Sequence, residues 1–100
     1  MGSGKRIIPA RLGEKLRVIR ESLGLTTEEI VLRLNCPEIP LHRASITQYE
    51  KNRREPPLII ILNYARLARV NVEVLIDDDQ SLEDKRFGKF NSVDKNNTKN

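Results

Sequence analysis

Thr26-Thr27-Glu28-Glu29-Ile30-Val31-Leu32-Arg33-Leu34, then Asn35-Cys36-Pro37-Glu38-Ile39-Pro40-Leu41, then His42-Arg43-Ala44-Ser45-Ile46-Thr47-Gln48-Tyr49-Glu50-Lys51-Asn52 is the stretch on which the reading of this chain turns. Thr26 and Glu29 stand three apart, just ahead of Ile30, Val31 and Leu34, which is the pattern of a capping box opening a helix with one apolar face. That helix is short, because Pro37 and Pro40 follow and the residue before a proline is driven out of helical backbone. Asn35 to Pro40 therefore reads as a loop. A third helix is expected from His42 or Arg43 to Lys51. Ile46 and Tyr49 turn inward in it, and Arg43, Ala44, Thr47 and Gln48 face out. Its start has two readings, a cap at His42 or a second capping box formed by Ser45 and Gln48. Asn52 suits the left-handed residue that stops such a helix, and Arg53-Arg54-Glu55 continues as a polar loop.

The flanks carry the same punctuation. Leu12, Leu16, Ile19 and Leu23 recur at helical spacing, with Pro9 suited to a first turn and Gly24 to the left-handed position after the last. Pro56-Pro57 introduces a fourth helix to about Arg69, with Leu58, Ile61, Leu62, Ala65 and Ala68 along one face. Asn71 caps a short fifth helix holding Val72, Leu75 and Ile76. Residues 1–8 and 77–100 are polar and read as flexible ends around a single domain of residues 9–76. Leu82, Phe87, Phe90 and Val93 leave room for a docking segment or dimer arm in the tail.

One hundred residues support one hydrophobic core, and with two Tyr, two Phe and no Trp that core must be aliphatic. The net charge of +4 is uneven: residues 1–76 hold 13 Lys/Arg against 8 Asp/Glu, so the basic excess belongs to the folded part and favours a polyanionic partner. A single cysteine, Cys36, excludes an internal disulfide and a cysteine-based zinc site. His42 has no second histidine or cysteine with which to share a metal, and Asp77-Asp78-Asp79 reads as a solvated helix end. Arg6 stands where a myristoylation motif needs Ser or Thr, and no apolar run of signal-peptide or membrane-spanning type occurs. The expectation is a cytoplasmic, nucleoid-associated protein. Neither a nucleophile–base pair nor a glycine-rich phosphate loop appears, so no enzyme activity and no cofactor are expected.

Arg20, Gly24-Leu25-Thr26, Glu28-Glu29-Ile30, Ser45-Ile46, Glu50-Lys51-Asn52, Pro56, Ala65, Val70 and Leu75, in this order and spacing, resemble the Cro/repressor-like (Xre-type) helix-turn-helix family over about Leu12 to Leu75. The sequence departs from the family at Thr27, where Gln is usual, at Val31 for Ala, and at Asn52 and Arg69 for Gly. Val31 to Glu50 spans 19 positions, about five more than the family's motif holds, and the excess lies around residues 35–40.

The resemblance implies an all-α, five-helix lambda-repressor-like domain with an extended turn between helices 2 and 3. It implies a small transcriptional regulator, most simply a repressor, bound as a homodimer to double-stranded DNA with helix 3 (about 43–51) in the major groove. Arg43, Ala44, Thr47 and Gln48 would then read bases: Arg43 by its donor fork on guanine, Gln48 on adenine, Ala44 and the Thr47 methyl on a thymine methyl. Thr26, Thr27, Ser45, Lys51, Arg53 and Arg54 would hold phosphates, with Arg11, Lys15 and Arg17 at the rim. Arg20 and Glu50 would form a structural ion pair. The long turn and the missing Gln motivate an alternative, a protein-interaction module that keeps the fold without base readout.

Overall fold

The computed structural model describes residues 7–82 and, among them, five helices and no strand: α1 (Leu12–Ser22), α2 (Thr27–Leu34), α3 (Arg43–Glu50), α4 (Leu58–Ala68) and α5 (Val72–Ile76). The all-α, five-helix expectation stands. α1 lies centrally, packing on α3, α4 and α5, while α2 rests on α3 and α4. The core is aliphatic with two tyrosines: Leu12, Leu16, Ile19, Ile30, Leu34, Ile46, Tyr49, Ile60, Ile61, Tyr64, Ala65, Ala68, Leu75 and Leu82 are buried.

Helix ends follow the local chemistry. Thr26 caps α2 as a full capping box: its Oγ1 accepts from the Glu29 N–H at 3.1 Å, and the Glu29 carboxylate accepts from the Thr26 N–H at 2.8 Å. Asn35 closes α2 in left-handed backbone, and from across the core the Asn63 side chain donates to the freed Leu34 carbonyl at 2.9 Å. α3 begins after His42, the first of the two readings, and Ser45 supplies the hydroxyl that accepts the His42 N–H at 3.2 Å. The inserted segment 35–41 folds back, with Cys36, Ile39 and Leu41 packed against the core and a turn closed by the Ile39 N–H on the Cys36 carbonyl.

Three expectations are corrected. Pro9 lies outside α1, which starts at Leu12, because the backbone N–H groups of Ala10 and Arg11 are bound by the Asp78 carboxylate at 2.9 and 3.0 Å. On the inward face of α4 Ile61, Ala65 and Ala68 are buried as expected, but Leu58 is 75 % exposed, and Ile60 and Tyr64 are buried in its place. Tyr64 offers more apolar surface than Leu58 and turns the helix toward itself. The packed chain also runs past Ile76, where the sequence placed the start of the tail. Arg11 donates to the Asp78 carbonyl and the Ser81 hydroxyl, and Leu82 is fully buried, so residues 77–82 are tied to the start of α1. The two N–H groups hold the Asp78 carboxyl below the usual carboxylate range. This tie is complete above the ordinary aspartate pKa and is lost as pH falls through the depressed one. Phe87, Phe90 and Val93 lie outside the described residues.

Asn52 and Arg69 both stand in left-handed backbone, where glycine is the unstrained residue, and they differ in what they return. Asn52 (φ 57°) uses its side chain fully: Oδ1 accepts from the Gly13 N–H at 2.9 Å, and Nδ2 donates to the Ala10 carbonyl at 2.7 Å. Arg69 (φ 59°) is exposed at the end of α4, with no side-chain hydrogen bond or ion pair among the described residues. Replacing Arg69 by Gly is therefore expected to stabilise the fold by about 0.5–1 kcal/mol, whereas Asn52→Gly destabilises it. Urea denaturation of the two variants beside the wild type checks the opposite signs.

Candidate nucleic-acid interface

The face of α3 is set by which of its side chains the core takes. Ser45, Ile46 and Tyr49 are buried, so the opposite arc, Arg43, Ala44, Thr47 and Gln48, lies within roughly 140° of helix circumference on the outside. Arg43 and Ala44 are exposed, and Thr47 and Gln48 are half-buried. The Thr47 hydroxyl donates back to the Arg43 carbonyl at 3.2 Å, which leaves its methyl as the group turned outward. The Arg43 guanidinium reaches the Glu28 carboxylate at 3.4 Å, with both side chains about 70 % exposed (72 % and 70 %). Such a pair is worth little in water and gives way readily to a better acceptor.

Behind this face, α3 is braced at its C-terminal end. Arg20 Nε donates to Glu50 Oε2 at 2.6 Å and Nη2 to Oε1 at 3.1 Å, a two-point pairing, while Nη1 donates to the Leu25 carbonyl at 3.0 Å. The side chains are 15 % and 8 % exposed. The Glu50 carboxylate raises the Arg20 pKa further above its already high value, so the guanidinium is charged at every accessible pH. The resemblance implied this pair, and it is present. Tyr64 lies beside it, and burial together with the Glu50 charge pushes its phenol pKa far up. Among the described residues its hydroxyl has no hydrogen-bond partner.

A second brace was not foreseen. Gly13 on α1 sits against the end of α3 so closely that a Cβ there would stand 2.5 Å from the Glu50 carbonyl oxygen, 2.7 Å from the Tyr49 carbonyl oxygen and 2.7 Å from Asn52 Oδ1. The signal available in the sequence was a glycine inside a helix, where it is otherwise unfavourable.

The remaining expected phosphate contacts divide. Lys51, Arg53 and Arg54 are exposed at the end of α3 and in the loop after it. Ser45 is buried (7 % exposed) and its hydroxyl is engaged at the His42 N–H, so it faces away from any phosphate on the α3 surface. Thr26 uses its N–H and one hydroxyl lone pair in the capping box, which leaves its O–H as a donor. The Glu29 carboxylate already occupies the anion-favouring end of α2, with Glu28 beside it, so an incoming phosphate meets like charge there. Thr27 is half-buried. Of the α1 rim residues, Lys15 is corrected, Arg11 is engaged within the fold, and Arg17 remains on the surface. Lys15 is fully buried, with Nζ donating to the carbonyls of Val74 and Asp77 at 2.7 and 2.9 Å, Arg11 is held by Asp78 and Ser81, and Arg17 faces Glu21 at 3.7 Å. Burial, then Arg11, pulls the Lys15 pKa below the usual lysine value.

The inserted segment brings Val31, Leu32, Pro37, Ile39, Pro40 and Leu41 around a shallow apolar recess of about 300 Å³ next to the start of α3. The Cys36 thiol donates to the Glu38 carboxylate at 3.3 Å; desolvation and that carboxylate push its pKa up, which disfavours the reactive thiolate. Among the described residues no group of three His, Cys, Asp or Glu side chains is placed to hold a metal ion, and no helix is long and apolar enough to cross a membrane. No family model, curated protein or solved structure matches the chain.

Proposed function

We propose that the protein binds double-stranded DNA in a sequence-specific manner, as a small Cro/repressor-like regulator whose α3 enters the major groove. The observation that carries this reading is the outward arc of Arg43, Ala44, Thr47 and Gln48 on a helix braced from behind by Arg20–Glu50 and by Gly13–Asn52. A reading helix must present donors and acceptors in a fixed register, and that is what such bracing supplies. Arg43 leaves Glu28 for a guanine edge and Gln48 pairs with adenine, each bidentate contact discriminating by about 1–3 kcal/mol. Lys51, Arg53 and Arg54 supply the phosphate contacts, which set affinity and its salt dependence. In this reading the protein acts in the cytoplasm at the nucleoid, represses transcription, and performs no catalytic step.

Selection from a random duplex pool at about 0.15 M salt tests it. The expected outcome is an inverted-repeat motif for the wild type and its degradation for Arg43→Ala/Gln48→Ala. Lys51→Ala/Arg53→Ala should instead weaken all sequences alike and flatten the salt slope by about two. Recovery of no motif would sink base readout. The acidic start of α2, with Glu28 and Glu29 in its first turn, favours the protein-interaction module as the second reading, which predicts no enrichment of DNA at any salt.

A further inference from the structure

The end of α2 and the second half of α4 enclose a recess of about 320 Å³, lined by Arg33, Leu34 and Asn35 on one side and by Asn63, Arg66 and Leu67 on the other. No carboxylate takes part in the lining. Arg33 and Arg66 are exposed, and neither has a side-chain hydrogen bond or ion pair among the described residues. Arg11, Arg17, Arg20 and Arg43 differ from them, since each faces an acceptor of its own. A basic residue in the last turn of a helix is favoured by the helix dipole, which accounts for Arg33 and Arg66 singly. It does not account for two guanidiniums from different helices lining one recess with no acid between them, where like charges repel.

The polar groups beside the arginines also carry free donors. Asn63 is oriented by its hydrogen bond to the Leu34 carbonyl at 2.9 Å, and its amide has a second N–H that this bond does not use. Asn35 stands in left-handed backbone (φ 46°), and its side-chain amide has no hydrogen bond among the described residues. Leu67, half-buried and packed on the core, gives the recess an apolar side.

We propose that this recess is a binding site for a small phosphate monoester. The class follows from the donors. A carboxylate has two oxygens and is satisfied by one guanidinium fork, which leaves the second arginine unused. A phosphoryl group has three terminal oxygens and a charge of about −1.5 to −2 at pH 7, so it can accept from both guanidiniums and an amide together and neutralise the pair. A backbone phosphodiester carries a single charge and matches the two arginines less well. The recess lies at the small end of the range for ligand sites, about 300–1,000 Å³, which suits a phosphoryl group with a compact body against Leu67. The site shares no residue with the outward arc of α3, and the inference stands without the DNA-binding reading.

Titration of the full chain with phenyl phosphate, followed through the side-chain amide signals of Asn35 and Asn63 in nitrogen–proton NMR spectra, is the test. Both signals should shift saturably, with a Kd of about 1 mM, and stay in place in sodium chloride of equal ionic strength. Arg33→Gln and Arg66→Gln, at exposed positions, should keep the helical spectrum and each weaken binding about tenfold or more. Arg43→Ala/Gln48→Ala should bind as the wild type does. Lowering the pH from about 7.5 to about 5, through the second phosphate pKa of about 6, should raise the Kd about tenfold, because the ligand loses a charge while the arginines keep theirs. Shifts that do not saturate, or that persist unchanged in both Gln variants, overturn the inference. Succinate binding as tightly as phenyl phosphate overturns the phosphoryl class. Shifts given by a DNA duplex and not by phenyl phosphate overturn it as well, and assign the two arginines to a nucleic-acid backbone.

Discussion

Arg20→Ala is expected to destabilise the domain by about 3 kcal/mol, and to lower its melting temperature by about 12 °C or more. The energetics of the pair are asymmetric. With both partners present, the pair only offsets the desolvation of two charges. Once Arg20 is removed, the Glu50 carboxylate, 8 % exposed, has lost both of its guanidinium donors. The Leu25 carbonyl loses its donor as well. Glu50→Gln should cost less, because a neutral amide still accepts from the guanidinium. Replacing both residues by Met and Leu should recover much of the loss, since no bare charge remains. Thermal melts of the three variants beside the wild type check the order, and a double replacement no better than Arg20→Ala would show that the pair contributes more than the cost of its own burial. On the proposed function, affinity for a DNA half-site should fall with stability in Arg20→Ala, since the end of α3 is released.

Gly13→Ala is the second large effect, and its cause is steric. The new methyl would lie 2.5 Å from one backbone carbonyl oxygen and 2.7 Å from another, and neither belongs to a flexible side chain that could swing away. Helix propensity alone would make this substitution stabilising by up to about 1 kcal/mol. The clash reverses the sign, because α1 and α3 must separate, and the Gly13–Asn52 hydrogen bond of 2.9 Å goes with them. A net loss of about 2–3 kcal/mol is expected, measured by urea denaturation. An unchanged or more stable Gly13→Ala protein would mean that the two helices are less closely pressed than the geometry requires.

Local punctuation was the legible part of the sequence. The capping box at Thr26–Glu29, the left-handed stops at Gly24 and Asn52, and the Pro-Pro entry to α4 are short-range chemistry, decided by neighbours within one turn. The outward arc of α3 was legible for the same reason, since Ile46 and Tyr49 fix which side is in. What was not legible depends on partners far along the chain. Lys15 reads as a surface charge until α5 brings the Val74 and Asp77 carbonyls to it. Pro9 reads as a helix start until Asp78 takes the N–H groups of Ala10 and Arg11. The orientation of α4 could not be read because it is apolar nearly all round, and periodicity cannot choose a face where every face qualifies.

The segment of residues 35–41 separates α2 from α3 where a tight turn would have fixed their angle by connection alone. In this protein α3 is held through space: α2 packs on it and on α4, and Arg20, Gly13 and Asn52 tie its far end to α1. Connection and orientation are thereby uncoupled. The exposed positions of the segment, Pro37, Glu38 and Pro40, can change while the surface of α3 keeps its register, whereas Cys36, Ile39 and Leu41 are held by the core. Within a domain this small, two neighbouring surfaces are consequently free to diversify at independent rates, one constrained by what α3 touches and the other by whatever meets the loop.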